Sequence, residues 1–364
     1  MQKDFLIENI DPLGQGVSKT NNEILFVKKT LPGEAGIAEI TSQKKGVSFG
    51  VLSKLNTKSE HRINSTCPHF ELCNGCDFLH TSYEHEVNFK KINIERSLKY
   101  LGCEQFHFHP APKRMGYRNR IQLHYNKKLK KLGFIDIKNR IVEVPNCSIA
   151  QPKILERLKE LYANQSWLGF VTNEKLEGHI ELYEKKGKVE IAVNEEYAQG
   201  GFTQVNEEMN QKLNTFLTNY INQKIDASKI IFDLFGGNGN LTKQIKNPTL
   251  VVDHYPQLPE NTFHQSFLHQ NLYSDKAITN IKKQYSKNPH FIIFDPPRSG
   301  VKNLGDFLAA FKPEGFIFIA CEFSSFNRDI KAALVDYQLT EVHIFDLFPS
   351  THHFETIGIF TKRS

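Results

Sequence analysis

Three of the chain's six cysteines, Cys67, Cys73 and Cys76, fall within ten residues of one another. Thiolates are soft ligands, and with Cys147 as a fourth this set suits either a [4Fe–4S] cluster or structural zinc. Zinc sites more often pair one C-x-x-C with a second pair or with two histidines, and the sequence has no such partner, although His69 and His80 are spaced as alternative ligands. A second constellation is Asp233-Leu234-Phe235-Gly236-Gly237-Asn238-Gly239-Asn240, a glycine-rich turn directly after an apolar run. Glycines there let the backbone pass close to a ligand. An acidic residue at the end of the next apolar run, Asp253, suits a ribose hydroxyl pair. Together these point to S-adenosylmethionine. The spacing is neither the dinucleotide G-x-G-x-x-G nor a phosphate loop, which argues against nucleotide hydrolysis. In Phe294-Asp295-Pro296-Pro297-Arg298-Ser299-Gly300 two prolines fix an extended loop that holds the Asp295 carboxylate. Cys321 ends another apolar run, and Glu355 closes Thr351-His352-His353-Phe354-Glu355. Taken singly, each of these two fits a packed thiol or a strand start better than it fits catalysis.

The elements that must position these groups follow from periodicity. Residues 1–55 alternate short strand-like runs (Ile24–Val27, Gly36–Ile40, Ser48–Leu55) with turns at Asp11–Gly16 and Thr30–Glu34, as in a small OB-type barrel. A helix is expected from Tyr83 to Leu101. Residues 115–200 read as strands (Ile121–Tyr125, Ile141–Val144, Ile180–Tyr183, Val189–Val193) interrupted by a helix from Pro152 to Tyr162. From Asn206 an amphipathic helix to Ile221 leads into continuous apolar strands at Ile230–Phe235, Leu250–Asp253, Phe291–Asp295 and Phe316–Ala320. Such runs, separated by helical segments, indicate a largely parallel α/β sheet. Three domains are expected: a barrel over 1–55, a cysteine-bearing central domain over 56–200, and an α/β domain over 201–364.

Composition sets the outer limits. The 364 residues are 39% hydrophobic and 24% charged, a globular balance. No apolar run approaches the ~18 residues of a membrane span, and the N-terminal segment has no signal-peptide core. A cytoplasmic, monomeric protein without a membrane partner is the expectation, and such a chain is not expected to carry a disulfide framework. The net charge of +6 permits a nucleic-acid partner. Residues 111–140 concentrate it, with ten Lys or Arg against Asp136 alone, interleaved with Tyr117, Tyr125 and Phe134. That is the composition of a phosphate-and-base surface.

Read in order, the Q-V-N of Gln204-Val205-Asn206, D-L-F-G-G-N-G-N, V-V-D, D-P-P-R-S-G, Cys321 and T-H-H-F-E form a set. The set resembles the RNA (uracil-5-)-methyltransferases, which make 5-methyluridine, and most resembles their bacterial 23S rRNA branch with a four-cysteine iron–sulfur cluster. The resemblance runs from about residue 6 to 362.

That resemblance implies an S-adenosylmethionine-dependent, Rossmann-like methyltransferase domain, a TRAM-like OB-fold barrel and a central α+β domain with a four-cysteine cluster. It implies RNA as partner, with 23S rRNA favoured over tRNA. Cys321 matches the nucleophile and Glu355 the general base. Gln204, Phe235, Asn240, Asp253, Asn271 and Asp295 match the methyl-donor contacts, and Cys67, Cys73, Cys76 and Cys147 the [4Fe–4S] ligands. Gly14-Gln15-Gly16-Val17 and Leu31-Pro32-Gly33-Glu34 match the barrel. Tyr117-Arg118-Asn119-Arg120 resembles a substrate-side segment, which makes Arg118 and Arg120 substrate contacts, and Phe202 is placed to stack on an extruded base. The chemistry needs these types: thiolate attack at C6 activates C5, and a base must then take the C5 proton so that the thiol can leave. The chain departs from the family where Ala320-Cys321-Glu322-Phe323 replaces Ser-Cys-Asn-Pro, although Arg328-Asp329 keeps its place. Glu322 turned inward would raise the thiol pKa. The family's Cys-Gly is Gly236-Gly237 here, and the stretch between Asp253 and Asn271 is short. The altered Cys321-Glu322-Phe323 context motivates one alternative, a non-catalytic RNA-binding or assembly factor that kept the fold.

Overall fold

The computed structural model describes residues 1–20, 23–103, 105–195, 204–254 and 259–363. They divide into two compact units. One comprises Met1–Arg96, Pro112–Glu195 and Phe348–His352, and the other Ser97–Ala111, Glu196–Leu347 and His353–Ser364.

The first unit opens with six strands: β1 (Gln2–Leu6), β2 (Asn9–Ile10), β3 (Gln15–Thr20), β4 (Glu23–Lys28), β5 (Ala35–Lys44) and β6 (Val47–Thr57). They form one sheet in the order β1-β5-β6-β4-β3-β2, antiparallel except where β4 meets β6. It is barrel-like, curled around Phe5, Ile7, Leu25, Val27 and Ala38. Three register shifts between β5 and β6 supply the curl. Gly36 sits at one of them, where a Cβ would lie 2.1 Å from the Lys54 carbonyl oxygen. Helix α1 (Tyr83–Lys99) comes next in the chain, then a short strand of the second unit, β7 (His107–His109). The first unit's other sheet takes β8 (Arg120–Asn126), β9 (Lys131–Ile135), β10 (Ile141–Val142), β11 (Glu177–Lys185) and β12 (Lys188–Val193), ordered β10-β9-β8-β11-β12. Helix α2 (Pro152–Tyr162) starts on a proline, which suits the first helical position. It buries Ile154, Leu158 and Leu161 among the inward side chains of β8 and β11.

The second unit carries helices α3 to α6, here Glu207–Lys224, Ala277–Gln284, Leu304–Phe311 and Phe323–Asp329. Its strands are β13 (Ile231–Leu234), β14 (Thr249–Asp253), β15 (Gln265–His269), β16 (Phe291–Phe294), β17 (Gly315–Ala320), β18 (Tyr337–Phe345) and β19 (Glu355–Lys362). With β7 at one edge they make an eight-stranded sheet, β15-β14-β13-β16-β17-β19-β18-β7. The run β15 to β17 is parallel, and β19 lies antiparallel between β17 and β18. Every residue of β13, β16 and β17 is buried, as expected for strands covered on both faces. Helix α3 is capped by Asn206, whose side chain accepts from the Met209 N–H at 3.2 Å. It buries Met209, Leu213, Leu217 and Ile221 on one stripe. Strand order reverses between β13 and β16, so a crevice for a ligand opens beyond the carboxyl ends of these strands.

Candidate active site and cysteine site

The carboxyl ends of β13, β14 and β16 bring three carboxylates together. Asp233 is fully buried, and its Oδ2 accepts from the Thr242 hydroxyl at 2.8 Å while its Oδ1 has no hydrogen-bond partner among the described residues. Burial above all, then the charge of Asp253, pushes the Asp233 carboxyl up to about 7. Burial, Asp233 and Asp253 push Asp295 to about 7 as well. Asp253 accepts the Gly237 N–H at 2.8 Å and so holds the turn shut against β14. The turn itself is built on left-handed backbone at Phe235, Gly237 and Gly239 (φ 64°, 55° and 73°). At Gly236 a Cβ would stand 2.6 Å from the Asp233 carboxyl carbon, so the site has no room for a side chain there. Three converging carboxylates, one with an orphaned oxygen, fit a ligand that carries positive charge. The sulfonium and ammonium of S-adenosylmethionine answer that description.

The donor contacts expected from sequence are placed variously. Phe235 packs its ring 5.3 Å from Tyr273, whose hydroxyl bonds to Ser299 Oγ and donates to the Gly300 carbonyl, both at 3.0 Å. This ties the glycine turn to the Asp295 loop. Asn271 follows β15 and accepts the Tyr273 N–H at 2.9 Å. Asn240 is exposed, and its amide engages Asn210 and Asn214 of α3 at 3.2 and 3.4 Å. Gln204 lies just before the Asn206 cap. Phe202 is outside the described residues.

Cys321 and Glu355 are set opposite each other by strand register. Ala320 of β17 pairs with Thr356 of β19, so the next residue on one strand faces the previous residue on the other. Directly opposed residues of an antiparallel pair share a face. Glu355 is buried, and burial followed by Asp295 raises its pKa well above the ordinary carboxylate range. The Cys321 thiol is pushed up to about 12, first by burial, then by Glu355, with Glu322 and Asp295 adding and the Arg298 guanidinium opposing. Arg298 thus brings positive charge to the thiol and to Glu355. Its type and its place directly after the two prolines were visible in sequence, but not its proximity to a thiol that ends a different strand. Glu322, the departure from the family pattern, forms an ion pair with His353, Nδ1 to Oε1 at 3.2 Å. The Arg328-Asp329 pair acts on the Asp295 loop: Arg328 donates to the Ser299 carbonyl and Asp329 accepts the Val301 N–H, both at 2.7 Å. Gly300 (φ 72°) makes room for this, since a Cβ there would meet Asp329 Oδ2 at 2.0 Å.

In the first unit, Cys67, Cys73, Cys76 and Cys147 share one region. Cys147 is buried in the core of the β8–β12 sheet, and Cys73 and Cys76, partly buried, pack against that core. Burial raises the thiols of Cys73, Cys76 and Cys147, and the charges of Cys147, Cys73 and Cys67 raise Cys76 further. The Gly75 N–H donates to Cys73 Sγ at 3.4 Å. Lys29 of the barrel donates to the Cys73 carbonyl at 2.9 Å and to that of Phe70. Among the described residues no three His, Cys, Asp or Glu side chains stand at metal-ligand spacing. Four free thiols gathered in one region have the donor chemistry of a thiolate-bound metal group, but they are not closed to coordination distance. Of the alternative ligands, His80 is buried against Phe70, rings 5.5 Å apart, and burial drives its pKa down to about 3.

Five of the ten cations in the basic window have partners within their own unit. Arg114 pairs with Glu86 at 2.9 Å, and Arg120 pairs with Glu181 at 2.7 Å while lying 4.5 Å over the Tyr183 ring. Lys127 donates to three carbonyls, Lys138 pairs with Glu39, and Arg140 with Asp136. Arg118 sits where its charge favours the Cys147 thiolate.

The sheet order and the carboxylate crevice define a methyltransferase-type α/β fold. A solved structure with the same fold throughout is the tRNA (uracil-54, C5)-methyltransferase of Pyrococcus abyssi in complex with S-adenosyl-L-homocysteine. It has a TM-score of 0.70 at 21% identity and covers 98% of this chain and 99% of its own. Residues 271–364 match the family described as tRNA (Uracil-5-)-methyltransferase. The 23S rRNA (uracil(1939)-C(5))-methyltransferase RlmD of Vibrio campbellii is 25% identical, covering 98% of this chain and 95% of the relative. An RNA methyltransferase of Bdellovibrio bacteriovorus is 27% identical over 97% of this chain and 93% of the relative. The chain is a relative of the RNA (uracil-5-)-methyltransferases along nearly its whole length.

Proposed function

We propose that this S-adenosylmethionine-dependent RNA (uracil-5-)-methyltransferase methylates C5 of a uridine in 23S rRNA through a covalent adduct of Cys321 with C6. The observation that carries the reading is the β17–β19 register, which faces a buried carboxyl with a thiol. Bound S-adenosylmethionine supplies an electrophilic methyl group on a sulfonium. Asp233, Asp253 and Asp295 hold its charged end, with Phe235, Gln204, Asn240 and Asn271 as further contacts. Cys321 gives its proton to solvent, with Arg298 favouring the thiolate, and forms the S–C6 bond while the C5=C6 pair moves into an enolate. Once C5 bears the methyl group, Glu355 takes the remaining C5 proton. The C–H pair restores C5=C6 and expels Cys321 as thiolate. Burial raises the pKa of the Glu355 carboxyl well above the ordinary carboxylate range, which makes it a stronger proton acceptor than an exposed glutamate.

Two substitutions test this on deproteinised rRNA. Cys321→Ala is expected to abolish 5-methyluridine, and activity that survives it removes the nucleophile from the scheme. Glu355→Gln is expected to stall after attack and leave RNA attached to protein through denaturing electrophoresis. The tRNA description of the matched family and of the solved likeness supports a second reading, the same chemistry on tRNA. Mass mapping of 5-methyluridine in both RNAs, with and without the gene, decides between them.

Cys67, Cys73, Cys76 and Cys147 hold a [4Fe–4S] cluster with a structural role, because methyl transfer needs no redox step. The barrel is a TRAM-like RNA-binding module. The chain works as 1–55, 56–200 and 201–364, the last being catalytic, in the cytoplasm as a monomer. Iron and acid-labile sulfide measured on protein purified without oxygen check the cluster: four of each per chain are expected. One zinc per chain with no sulfide would make it a zinc site.

A further inference from the structure

The β11–β12 hairpin carries a charge arrangement that the folded chain does not itself compensate. Its turn is Lys185-Lys186-Gly187-Lys188, and Lys186 and Gly187 are both left-handed (φ 51° and 80°), as a tight two-residue hairpin turn requires. That geometry places Lys185 directly opposite Lys188, two like charges across the strands. Such a pair is destabilising unless something compensates it. Among the described residues none of Lys185, Lys186 and Lys188 forms an ion pair, and all are exposed. Lys153 at the start of α2 donates to the Gly187 carbonyl at 3.0 Å, which fixes the turn, and its own charge is met by Glu184 at 3.8 Å. Below the lysines lies an open cavity of about 490 Å³ lined by Tyr183, Lys185, Lys186, Lys188 and Glu190. Its floor is rigid: Tyr183 is buried, with the Arg120 guanidinium 4.5 Å from its ring centre and Glu181 fixing Arg120. Register aligns Arg120, Tyr183 and Glu190 in one row across three strands, with Lys185 and Lys188 in the neighbouring row of the same face.

We infer that this hairpin and its cavity form a phosphodiester-binding site for the RNA backbone, one that holds the substrate without reading its sequence. The inference rests on the RNA-methyltransferase reading for the identity of the polyanion. A compact array of lysines over a fixed floor suits phosphate, since each ammonium is a point charge with several donors. Base recognition would need exposed aromatic faces or planar amide and guanidinium groups, and Tyr183 is buried. Glu190 is the anion at the rim. The hairpin is separate from the 111–140 window, whose cations are in good part already engaged by Glu86, Glu181, Glu39 and Asp136.

The test is equilibrium binding of the full-length protein to deproteinised 23S rRNA and to an unrelated structured RNA, across a salt series. In the Lys185→Gln, Lys186→Gln, Lys188→Gln triple variant, affinity for both RNAs is expected to fall by on the order of 10-fold or more. The slope of log K against log salt should become shallower by about 2–3. Glu190→Gln is expected to tighten both by a few-fold. Circular dichroism and thermal unfolding show that the variants are folded. A folded triple variant with unchanged affinity and slope overturns the inference, as does a loss confined to one of the RNAs. Wild-type protein that binds RNA with the steep slope yet makes no 5-methyluridine would instead fail the proposed function and leave the hairpin site standing.

Discussion

Replacing Glu322 with Gln removes one carboxylate from beside the thiol while keeping the shape of its side chain. The Cys321 thiol stands at about 12, raised by burial, Glu355, Glu322 and Asp295 and lowered by Arg298. At pH 7.5 such a group is thiolate in roughly 3 molecules in 10⁵. Loss of one nearby like charge lowers a pKa by ~1 unit and so yields ~10-fold more thiolate. A less basic thiolate is a weaker nucleophile, with a Brønsted slope of ~0.4–0.5, which leaves a net gain of ~3-fold in reactivity. The assay is the rate of iodoacetamide capture of Cys321 against pH, read from the mass of its peptide. Cys103, which donates to the Gln105 carbonyl at 3.2 Å and has no carboxylate among the groups that shift it, is the internal reference. Glu322→Gln is expected to speed Cys321 about threefold and leave Cys103 unmoved. His353→Gln removes the imidazole that engages the Glu322 carboxylate and is expected to slow it. An unchanged or slower Cys321 in the Glu322 variant would refute the electrostatic account of the thiol.

Two further outcomes follow from the same carboxylates. Asp233 has a folded pKa raised to about 7 by burial, so its contribution to stability is present below the unfolded carboxylate value and is lost as pH rises through 7. Unfolding free energy of the ligand-free protein is therefore expected to fall between about pH 4 and pH 8, and Asp233→Asn should flatten that fall when measured by denaturant titration. Gly236→Ala pushes a methyl into the Asp233 carboxyl, 2.6 Å away. Calorimetric titration should show S-adenosylmethionine affinity falling by on the order of 10-fold or more, whereas a wild-type affinity would show that the turn yields.

Much of the architecture was legible because it is written locally. The helix read from Tyr83 to Leu101 is found at Tyr83–Lys99, and that read from Pro152 to Tyr162 is found with those limits. Apolar runs of four to six residues marked β13, β14, β16 and β17, since strands buried on both faces carry no polar alternation. What sequence could not show is set by distant partners. Strand β7 is three residues long and takes its place by pairing with β18, more than two hundred positions away. The cations at Arg114, Arg120 and Lys138 looked free because Glu86, Glu181 and Glu39 lie far off along the chain. Arg298 and His353 could be named as residues of motifs, but their electrostatic bearing on Cys321 and Glu322 exists only once β17 and β19 are side by side.

That placement of β19 has a consequence for how the enzyme comes into being. The strand enters between two others that precede it in the chain, so until it is made, β17 and β18 each present an unsatisfied edge. A chain synthesised only as far as residue 354 holds the thiol at the end of β17 but not the Glu355 carboxyl that faces it. Incomplete chains thus carry an open seam of unpaired backbone, and the antiparallel insertion of β19 closes that seam in the same step that sets the carboxyl against the thiol.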